Sequence, residues 1–201
     1  MKMQLKPLKR GQLVTNDQLV TEVINFWFGS PDSSELGSHR TIWFESDAQF
    51  DEDIRQRFGE ANQMAAEGEL DDLRQTQMGT LTLIILLDQF SRNLYRGKAE
   101  AFAHDAKARE LAEYALSKGF DQNILTVQKL FFYLPFEHAE DLAVQKKSVE
   151  LFVNMGDAQS LQHALCHHDQ IVRFGRFPDR NKALGRQSTT AEQAFLKNPF
   201  C

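Results

Sequence analysis

The spacing of apolar residues constrains the fold of this chain more than any other feature. Leu19, Val23 and Trp27 recur at intervals of four residues, as on one face of an α-helix, and similar stripes follow along most of the sequence. The apolar run 83–87 also fits a buried strand, but no helix-breaking residue follows it until Gly97, so a helix is favoured. The sequence therefore predicts an all-α fold of about eight helices.

Glycine and proline residues divide the helical pattern into separate spans. These spans of about 12–20 residues are joined by short turns, which is typical of stacked antiparallel helical hairpins. Residues 1–15 are interpreted as a flexible leader, because Pro7 and Gly11 interrupt any early helix. Residues 16–201 are expected to form a single helical domain.

Two local sequence patterns predict where particular helices begin. Pro135 stands where a first helical residue is favoured, so we expect one helix over 121–134 and another from Pro135 to about Met155. Thr189 and Glu192 have the spacing of a capping box, which predicts a last short helix directly after Thr189.

Composition and charge exclude several classes of protein. Hydrophobic residues make up 42% of the 201 residues and charged residues 25%, as is ordinary for a globular domain. The net charge of -5 argues against a general nucleic-acid binder, which needs basic residues to neutralise phosphates. The longest apolar run falls far short of the stretch of about 20 residues that spans a bilayer.

The cysteines bear on the cellular compartment. The two cysteines, Cys166 and Cys201, make no disulfide framework and fit a reducing compartment. We therefore expect a cytoplasmic protein without nucleic-acid or membrane partners, in which Cys166 is a small buried residue.

A polar segment follows the central apolar run. On a helix, Asp88, Arg92 and Arg96 share one face, next to Asn93. One interpretation is an intrahelical Asp–Arg ion pair. The other is that the forked guanidinium groups bind the carboxylate or phosphate of a ligand. The spacing alone leaves both open.

The segment around His138 combines an imidazole with several acids. We expect His138 and Asp141 to project from one side of a helix, where the carboxylate would orient the imidazole as a general base. In the alternative, Glu137 and its neighbours only complement the helix dipole. A di-metal bundle needs Glu-x-x-His on two helices, and the chain does not provide this pattern, so no metal site is expected.

A second group of histidines lies further along the chain. His163 and His167 have a spacing that can serve zinc, but the glutamate of a His-Glu-x-x-His motif is absent. His168 falls beside the apolar stripe that contains Leu165 and Val172, so it is interpreted as a core histidine. No glycine-rich phosphate loop and no nucleophile elbow occur, and no cofactor is expected.

An arginine-rich loop is the most unusual segment. Four arginines occur within fourteen residues, interleaved with Phe174 and Phe177, which a solvated loop would not need. If the phenylalanines anchor the loop in the core, the arginines are fixed and require acids. The interpretation is either a structural ion-pair network or an anion-binding site. The arginines are Arg173, Arg176, Arg180 and Arg186, and the expected acids are Asp88, Glu137, Glu140 and Asp169.

Several motifs together resemble one bacterial family, catalogued as domain of unknown function 924, which has a tetratricopeptide-like helical fold. The resemblance covers nearly the whole chain after the leader. Two positions depart from the family pattern: Asp179 replaces a histidine, and Ser91 replaces a proline that would kink the helix. The motifs are Phe26-Trp27-Phe28-Gly29, Trp43-Phe44, Gly68-Glu69-Leu70, Leu87-Asp88-Gln89-Phe90-Ser91-Arg92-Asn93, Tyr133-Leu134-Pro135-Phe136-Glu137-His138, Arg173-Phe174-Gly175-Arg176-Phe177-Pro178 and Leu184-Gly185-Arg186.

The family has no assigned activity, so the resemblance implies a fold and a set of site residues but no reaction. Its register points to His167 rather than His168. The residues that it implies should converge in space are Arg92, Asn93, Glu137, His138, His167, Arg176, Arg180 and Asn181.

Two functions fit this pattern. The first is a pocket that binds a small anionic molecule through arginines held by acids, with His138 as the candidate base if the chain is an enzyme. The second is a tetratricopeptide-like module that binds peptides, in which the same residues form only a structural ion-pair network.

Overall fold

The computed structural model describes residues 15–198, and within them it contains helices and no β-strand. Counting the continuous helical segment 77–94 as one, there are eight helices in this range, which confirms the all-α prediction. The more specific tetratricopeptide-like arrangement stays a prediction. The expected leader lies almost entirely outside the described residues. The helices are α1 Asn16–Phe28, α2 Ala48–Glu67, α3 Gln77–Ile84, α4 Ser91–Leu94, α5 Asp105–Ser117, α6 Thr126–Glu137, α7 Leu142–Met155, α8 Ala158–Phe174 and α9 Thr190–Lys197.

Side-chain caps set where several helices begin. Asp47 accepts a hydrogen bond from the backbone of Phe50 at the start of α2, and Asp157 accepts one from Ser160 at the start of α8, each at 2.8 Å. The predicted capping box of Thr189 and Glu192 is present at α9. Short 3₁₀ turns occupy Thr41–Trp43, Asp71–Gln75, Ala99–Phe102 and Pro178–Arg180.

The segment 77–94 is one helical rod through the core, as the sequence predicts, but it is not a regular α-helix. Between α3 and α4, residues Ile85–Phe90 form a π-helical segment. The side-chain amide of Asn62 donates to the carbonyl of Leu86 at 2.6 Å and to the Ser91 hydroxyl at 3.0 Å. The side chain at position 91 therefore forms a hydrogen bond that the family's proline cannot form, and the helix is distorted by a widened turn rather than by proline.

The helix boundary predicted at Pro135 is wrong. Pro135 lies inside α6, and α7 begins only at Leu142, where the Asp141 carboxylate accepts hydrogen bonds from the backbones of Ala143 and Val144. Pro135 cannot donate to the carbonyl of Phe131, four residues back, and the packing of this largely buried helix keeps it continuous in spite of that loss. His138 therefore lies at the end of α6, and Asp141 does not share a helical face with it.

The exposed side of α8 also differs from the prediction. Ala164 and Ile171 are buried, but Leu165 and Val172 are 49% and 55% exposed, because this outer helix packs on its neighbours through a narrow stripe. His168 is half-buried rather than a core histidine. Cys166 is half-buried, so it is not the buried residue that was expected.

An aromatic core supports the ends of the helices that carry the polar residues. Trp27 of α1 packs against Phe131 of α6 and Phe90 at centroid distances of 5.5 and 5.4 Å, and its carbonyl accepts a hydrogen bond from Trp43. Among residues 15–198, no helix combines the length and the apolar character required to cross a bilayer.

Candidate functional site

A cavity of about 390 Å³ lies where the end of α6 meets α8 and the segment before α2. We call it the histidine cavity, because four imidazoles line it. Two of them come from α8, one from the end of α6 and one from the loop after α1. Its ionisable lining residues are His39, Glu45, Glu137, His138, His163 and His167.

The imidazole of His138 is held by a buried carboxylate. Its Nδ1 lies 2.8 Å from Oδ1 of Asp88, a residue of the π-helical segment that is completely buried. Arg92 Nη1 lies 3.1 Å from the same oxygen, and the Gln89 amide donates to the other. Nε2 of His138 has no partner among the described residues, and 14% of this side chain remains exposed at the cavity.

Burial and charge act on this pair in opposite directions. Burial alone would raise the pKa of the Asp88 carboxyl, but Arg92 and His138 overcome it and hold that pKa far below its usual range. Burial lowers the pKa of His138, and the nearby charge of Arg92 lowers it further, against the attraction of Asp88. His138 is therefore a neutral imidazole at neutral pH, with Nδ1–H donated to Asp88 and a lone pair on Nε2.

The imidazole of His167 is held in a similar way. Its Nδ1 lies 3.0 Å from Oε1 of buried Glu137 and 2.9 Å from the carbonyl oxygen of His163, so Nδ1 carries the proton. Burial lowers the pKa of His167, but the hydrogen bond and charge of Glu137 outweigh it, and the net pKa is raised. Nε2 has no partner in the described range, and the ring lines the cavity.

The two imidazoles lie close together in the lining of the histidine cavity. The ring centroids of His138 and His167 are 6.5 Å apart, and the rings are inclined edge to face at 67°. Each ring has Nδ1 bound to a carboxylate and Nε2 left for a ligand. Their environments move their pKa values in opposite directions, an arrangement that separates a proton acceptor from a proton donor.

A chain of charges connects His138 to the arginine loop. Arg92 binds both carboxylate oxygens of Asp105 at 2.9 and 3.0 Å, and Arg180 Nη1 binds Asp105 from the other side at 3.2 Å. Asp105 is the first residue of α5 and was not among the predicted site residues. No motif around Asp105 predicts that it joins Arg92 to Arg180, because both arginines come from other segments of the chain.

Arg180 is clamped between two aromatic rings. Its guanidinium carbon lies 4.7 Å from the centroid of Phe102 and 4.5 Å from that of Phe177. Phe177 is buried and thus anchors the loop as predicted, whereas Phe174 is half-buried against α9. Besides the bond to Asp105, the guanidinium has no acceptor within residues 15–198, so Nε and Nη2 keep unused N–H groups.

These N–H groups belong to a residue that lines a second cavity, of about 350 Å³, which we call the arginine cavity. The two cavities adjoin, since His163 and His167 line both. Asp179, which stands where the family has histidine, also lines the arginine cavity and adds a negative charge near Arg180.

Asn93 and Arg96 lie apart from this cluster. Asn93 donates to Asp51 of α2 at 2.7 Å, and Arg96 binds both oxygens of the same carboxylate at 2.8 Å. Because 94 is the last residue of α4, Arg96 falls beyond the helix and does not share a face with Arg92. These two residues, although included in the predicted site, tie the central rod to α2.

The remaining loop arginines pair with acids outside both cavities. Arg176 binds both oxygens of Glu192 at 2.6 and 2.9 Å, and Arg186 binds Glu140 at 2.6 and 2.9 Å. Buried Asn181 accepts a hydrogen bond from Arg186, which fixes the turn that follows the loop.

The expected acid partners were partly wrong. Glu140 pairs with a loop arginine, and Asp169 pairs with Arg173 on the exposed side of α8. Asp88 instead holds Arg92 and His138, and Glu137 holds His167. Of the predicted residues, six therefore meet around the cavities: Asp88, Arg92, Glu137, His138, His167 and Arg180.

Residues that could ligate a metal do not cluster in threes anywhere in the described part of the chain. His163 and His167 share one helix, and hydrogen bonds from Nδ1 to Glu137 and to the carbonyl of His163 orient the ring of His167.

Comparison with known proteins gives a family. Residues 23–200 match the model of a bacterial protein family of unknown function, DUF924. A solved structure of a protein of unknown function from Agrobacterium tumefaciens is 38% identical, covers 91% of this chain and 99% of its own, and superposes with a TM-score of 0.81. No curated protein matches the chain. The chain therefore belongs to the DUF924 family of bacterial proteins of unknown function.

Proposed function

We propose that this protein binds a small anionic molecule across the histidine and arginine cavities. The observation that carries the proposal is Arg180. It is fixed between Phe102 and Phe177, bound to Asp105 through one nitrogen only, and placed at a cavity with its other N–H groups unused. A guanidinium presented in this way is suited to a phosphate or carboxylate.

The other arginines near the cavities support this assignment by contrast. Both terminal nitrogens of Arg92 are bound to Asp88 or Asp105. Arg176 and Arg186 each form a two-point contact with a glutamate. Arg180 differs from all three, so it is the residue best placed to bind a ligand.

Cavity size and charge agree with a small polar ligand. Volumes of about 390 and 350 Å³ are within the range of small-molecule sites. His167, whose pKa is raised against the effect of burial, holds a proton more readily than an ordinary imidazole where the two cavities adjoin. An anion bound between Arg180 and protonated His167 would meet charge-assisted donors from both.

Calorimetry and thermal unfolding test the proposal with inorganic phosphate, small phosphate esters and malonate. A ligand at 100 times its Kd should stabilise the protein by about 2.7 kcal/mol. Arg180→Gln removes the charge and should weaken binding about tenfold or more, as expected for a charge-assisted hydrogen bond. Arg96→Gln, whose guanidinium pairs with Asp51 outside the cavities, serves as the matched control and should bind normally.

Two results would overturn this proposal. One is a wild-type protein that none of these anions stabilises. The other is an Arg180→Gln variant that binds as tightly as the wild type.

A peptide-binding module is the alternative function. The exposed apolar side chains of Val153 on α7 and of Leu165 and Val172 on α8 favour it, because they offer an apolar surface to a partner. In that case the charge chain only stabilises the fold. Arg180→Gln would then lower the Tm without impairing peptide binding. Replacing Leu165 and Val172 by serine would impair peptide binding.

A further inference from the structure

We propose that His138 and His167 form a general acid–base pair that hydrolyses a small phosphate ester. This inference rests on the proposed anion site and adds a reaction to it. The geometry that carries it is the proximity of two imidazoles that line one cavity, 6.5 Å apart by ring centroid and inclined at 67°. Each is oriented by a buried carboxylate at Nδ1, through Asp88 for His138 and Glu137 for His167.

Orientation by a carboxylate is what a catalytic histidine requires. It fixes the tautomer, so that Nε2 is the nitrogen that exchanges a proton with the substrate. The Arg92 contact keeps Asp88 ionised in a completely buried position. His138 is the proton acceptor and His167 the proton donor, because Arg92 lies beside the first and Glu137 beside the second.

No hydroxyl, thiol or amine side chain touches either imidazole within the described range. The hydroxyl-bearing residues of the histidine cavity are Thr41 and Ser160, and Ser160 is engaged with the capping carboxylate of Asp157 rather than with a histidine. Neither a cysteine nor a lysine lines the cavity. We therefore assign the attack to a water molecule that His138 deprotonates, with no covalent intermediate on the protein.

The anion site selects the class of ester. A carboxylate bound by Arg180 is a poor electrophile, whereas a phosphoryl group is at once the anion and the atom under attack. Guanidinium groups stabilise the charge that spreads over the phosphoryl oxygens in the transition state. His167 lines both cavities, so a phosphoryl group between Arg180 and His167 has the proton donor beside it.

The reaction balances as a simple hydrolysis. Water attacks phosphorus while its proton passes to the Nε2 lone pair of His138. The bond from phosphorus to the leaving oxygen breaks with its electron pair on that oxygen, which takes the Nε2 proton of His167. The products are an alcohol and the phosphate with one ester bond fewer. His138 then loses its proton to solvent and His167 regains one.

Release of phenolic products from p-nitrophenyl phosphate and bis(p-nitrophenyl) phosphate tests the inference. His138→Gln and His167→Gln should each lower kcat by about 10²–10⁴-fold, the usual contribution of a general acid or base. His168→Gln, on the same helix but lining neither cavity, is the matched control and should keep wild-type activity.

The identity of the leaving group separates the two roles and guards against a simple folding defect. p-Nitrophenolate needs little protonation, so His167→Gln should impair hydrolysis of phenyl phosphate more than that of p-nitrophenyl phosphate. His138→Gln should impair both equally. If His167→Gln lost the same fraction of its activity on phenyl phosphate as on p-nitrophenyl phosphate, the assignment of His167 as the acid would be contradicted.

Binding measurements distinguish failure of this inference from failure of the anion site. If wild-type protein binds inorganic phosphate but hydrolyses neither p-nitrophenyl ester, the acid–base pair is overturned and the anion site stands. If neither phosphate nor the esters bind, both proposals fall. We expect His138→Gln to bind phosphate as the wild type does and to hydrolyse the esters about 10²–10⁴-fold more slowly.

Discussion

His138 Nδ1 lies 2.8 Å from Oδ1 of Asp88, and this contact joins the end of α6 to the buried π-helical segment of the central rod. The carboxylate also binds Arg92, which extends the connection through Asp105 to Arg180. The histidine is thereby positioned by residues from three separate parts of the chain: the central rod, the start of α5 and the arginine loop.

The first prediction concerns removal of this carboxylate. Asp88→Asn keeps the shape of the side chain but removes the completely buried charge that faces Arg92 and accepts a hydrogen bond from His138. We expect a loss of about 3–5 kcal/mol in the free energy of unfolding at pH 7, as is typical when one partner of a buried pair is removed. Urea denaturation measures it, and Asp47→Asn, at an exposed helix cap, should cost well under about 1 kcal/mol, because asparagine caps a helix about as well as aspartate.

The same substitution has a defined pH dependence. The pKa of Asp88 is lowered in the folded state, so its ionised form stabilises the fold above the unfolded pKa of about 3.9, and this contribution is lost as the pH falls further. The difference between wild type and Asp88→Asn should therefore shrink from pH 7 to pH 3. A constant difference across this range would show that Asp88 is not a stabilising anion.

A glycine tests the packing at the start of the rod. A Cβ added at Gly79 would lie 2.1 Å from the carbonyl oxygen of Leu73, which is backbone and has little freedom to move. Gly79→Ala should therefore destabilise the fold by at least about 1–3 kcal/mol. Gly59→Ala, in the middle of α2 with no atom within 4 Å of the added carbon, should instead stabilise it by about 0.5–1 kcal/mol.

Asp179 provides a test of the arginine cavity. Its carboxylate lines the cavity that contains Arg180, so it repels an anionic ligand. Asp179→Asn should tighten phosphate binding several-fold in calorimetry. Asp169→Asn, on α8 and paired with Arg173, should leave the affinity unchanged. Weaker phosphate binding by Asp179→Asn would place the anion elsewhere.

The proposed hydrolysis should have a bell-shaped pH profile. His138 must be neutral, and burial together with Arg92 lowers its pKa against the pull of Asp88 and Asp105, so activity rises with pH below about 6.5. This limb should move to still lower pH in Asp88→Asn, because the variant loses the charge that favours the imidazolium.

The opposite limb belongs to His167, which must carry a proton. Burial and Arg180 lower the pKa of His167, but Glu137 and the His163 carbonyl outweigh them, so the net pKa is raised. Activity should therefore fall as the pH rises above about 6.5. Initial rates with p-nitrophenyl phosphate between pH 4 and 9 measure both limbs. A profile that keeps rising above neutral pH would contradict the role of His167 as proton donor.

The helices were largely predictable because periodicity and caps are local. Thr189 with Glu192, and Asp157 before α8, mark helix starts where the structure has them. Pro135 led to a wrong boundary because tertiary packing of the buried helix α6 outweighs its local preference for a helix start.

The candidate site was predictable only in part, because it depends on contacts between distant segments. Asp88 and Arg92 pair as their spacing suggests. The link from Arg92 to Arg180 runs through Asp105, whose sequence neighbours carry no motif. The clamp of Arg180 likewise needs Phe102, which comes from a 3₁₀ turn rather than from the loop itself.

We propose that His138 and His167 form one centre, next to an anion site, in which their pKa values are shifted in opposite directions. NMR of the histidine rings from pH 4 to 9, with and without inorganic phosphate, measures this; His138→Gln and His167→Gln assign the resonances. We expect the pKa of His138 to lie below that of an ordinary histidine, the pKa of His167 to lie above it, and phosphate to perturb the His167 ring. Two rings that titrate together near the ordinary pKa of histidine, unaffected by phosphate, would contradict it.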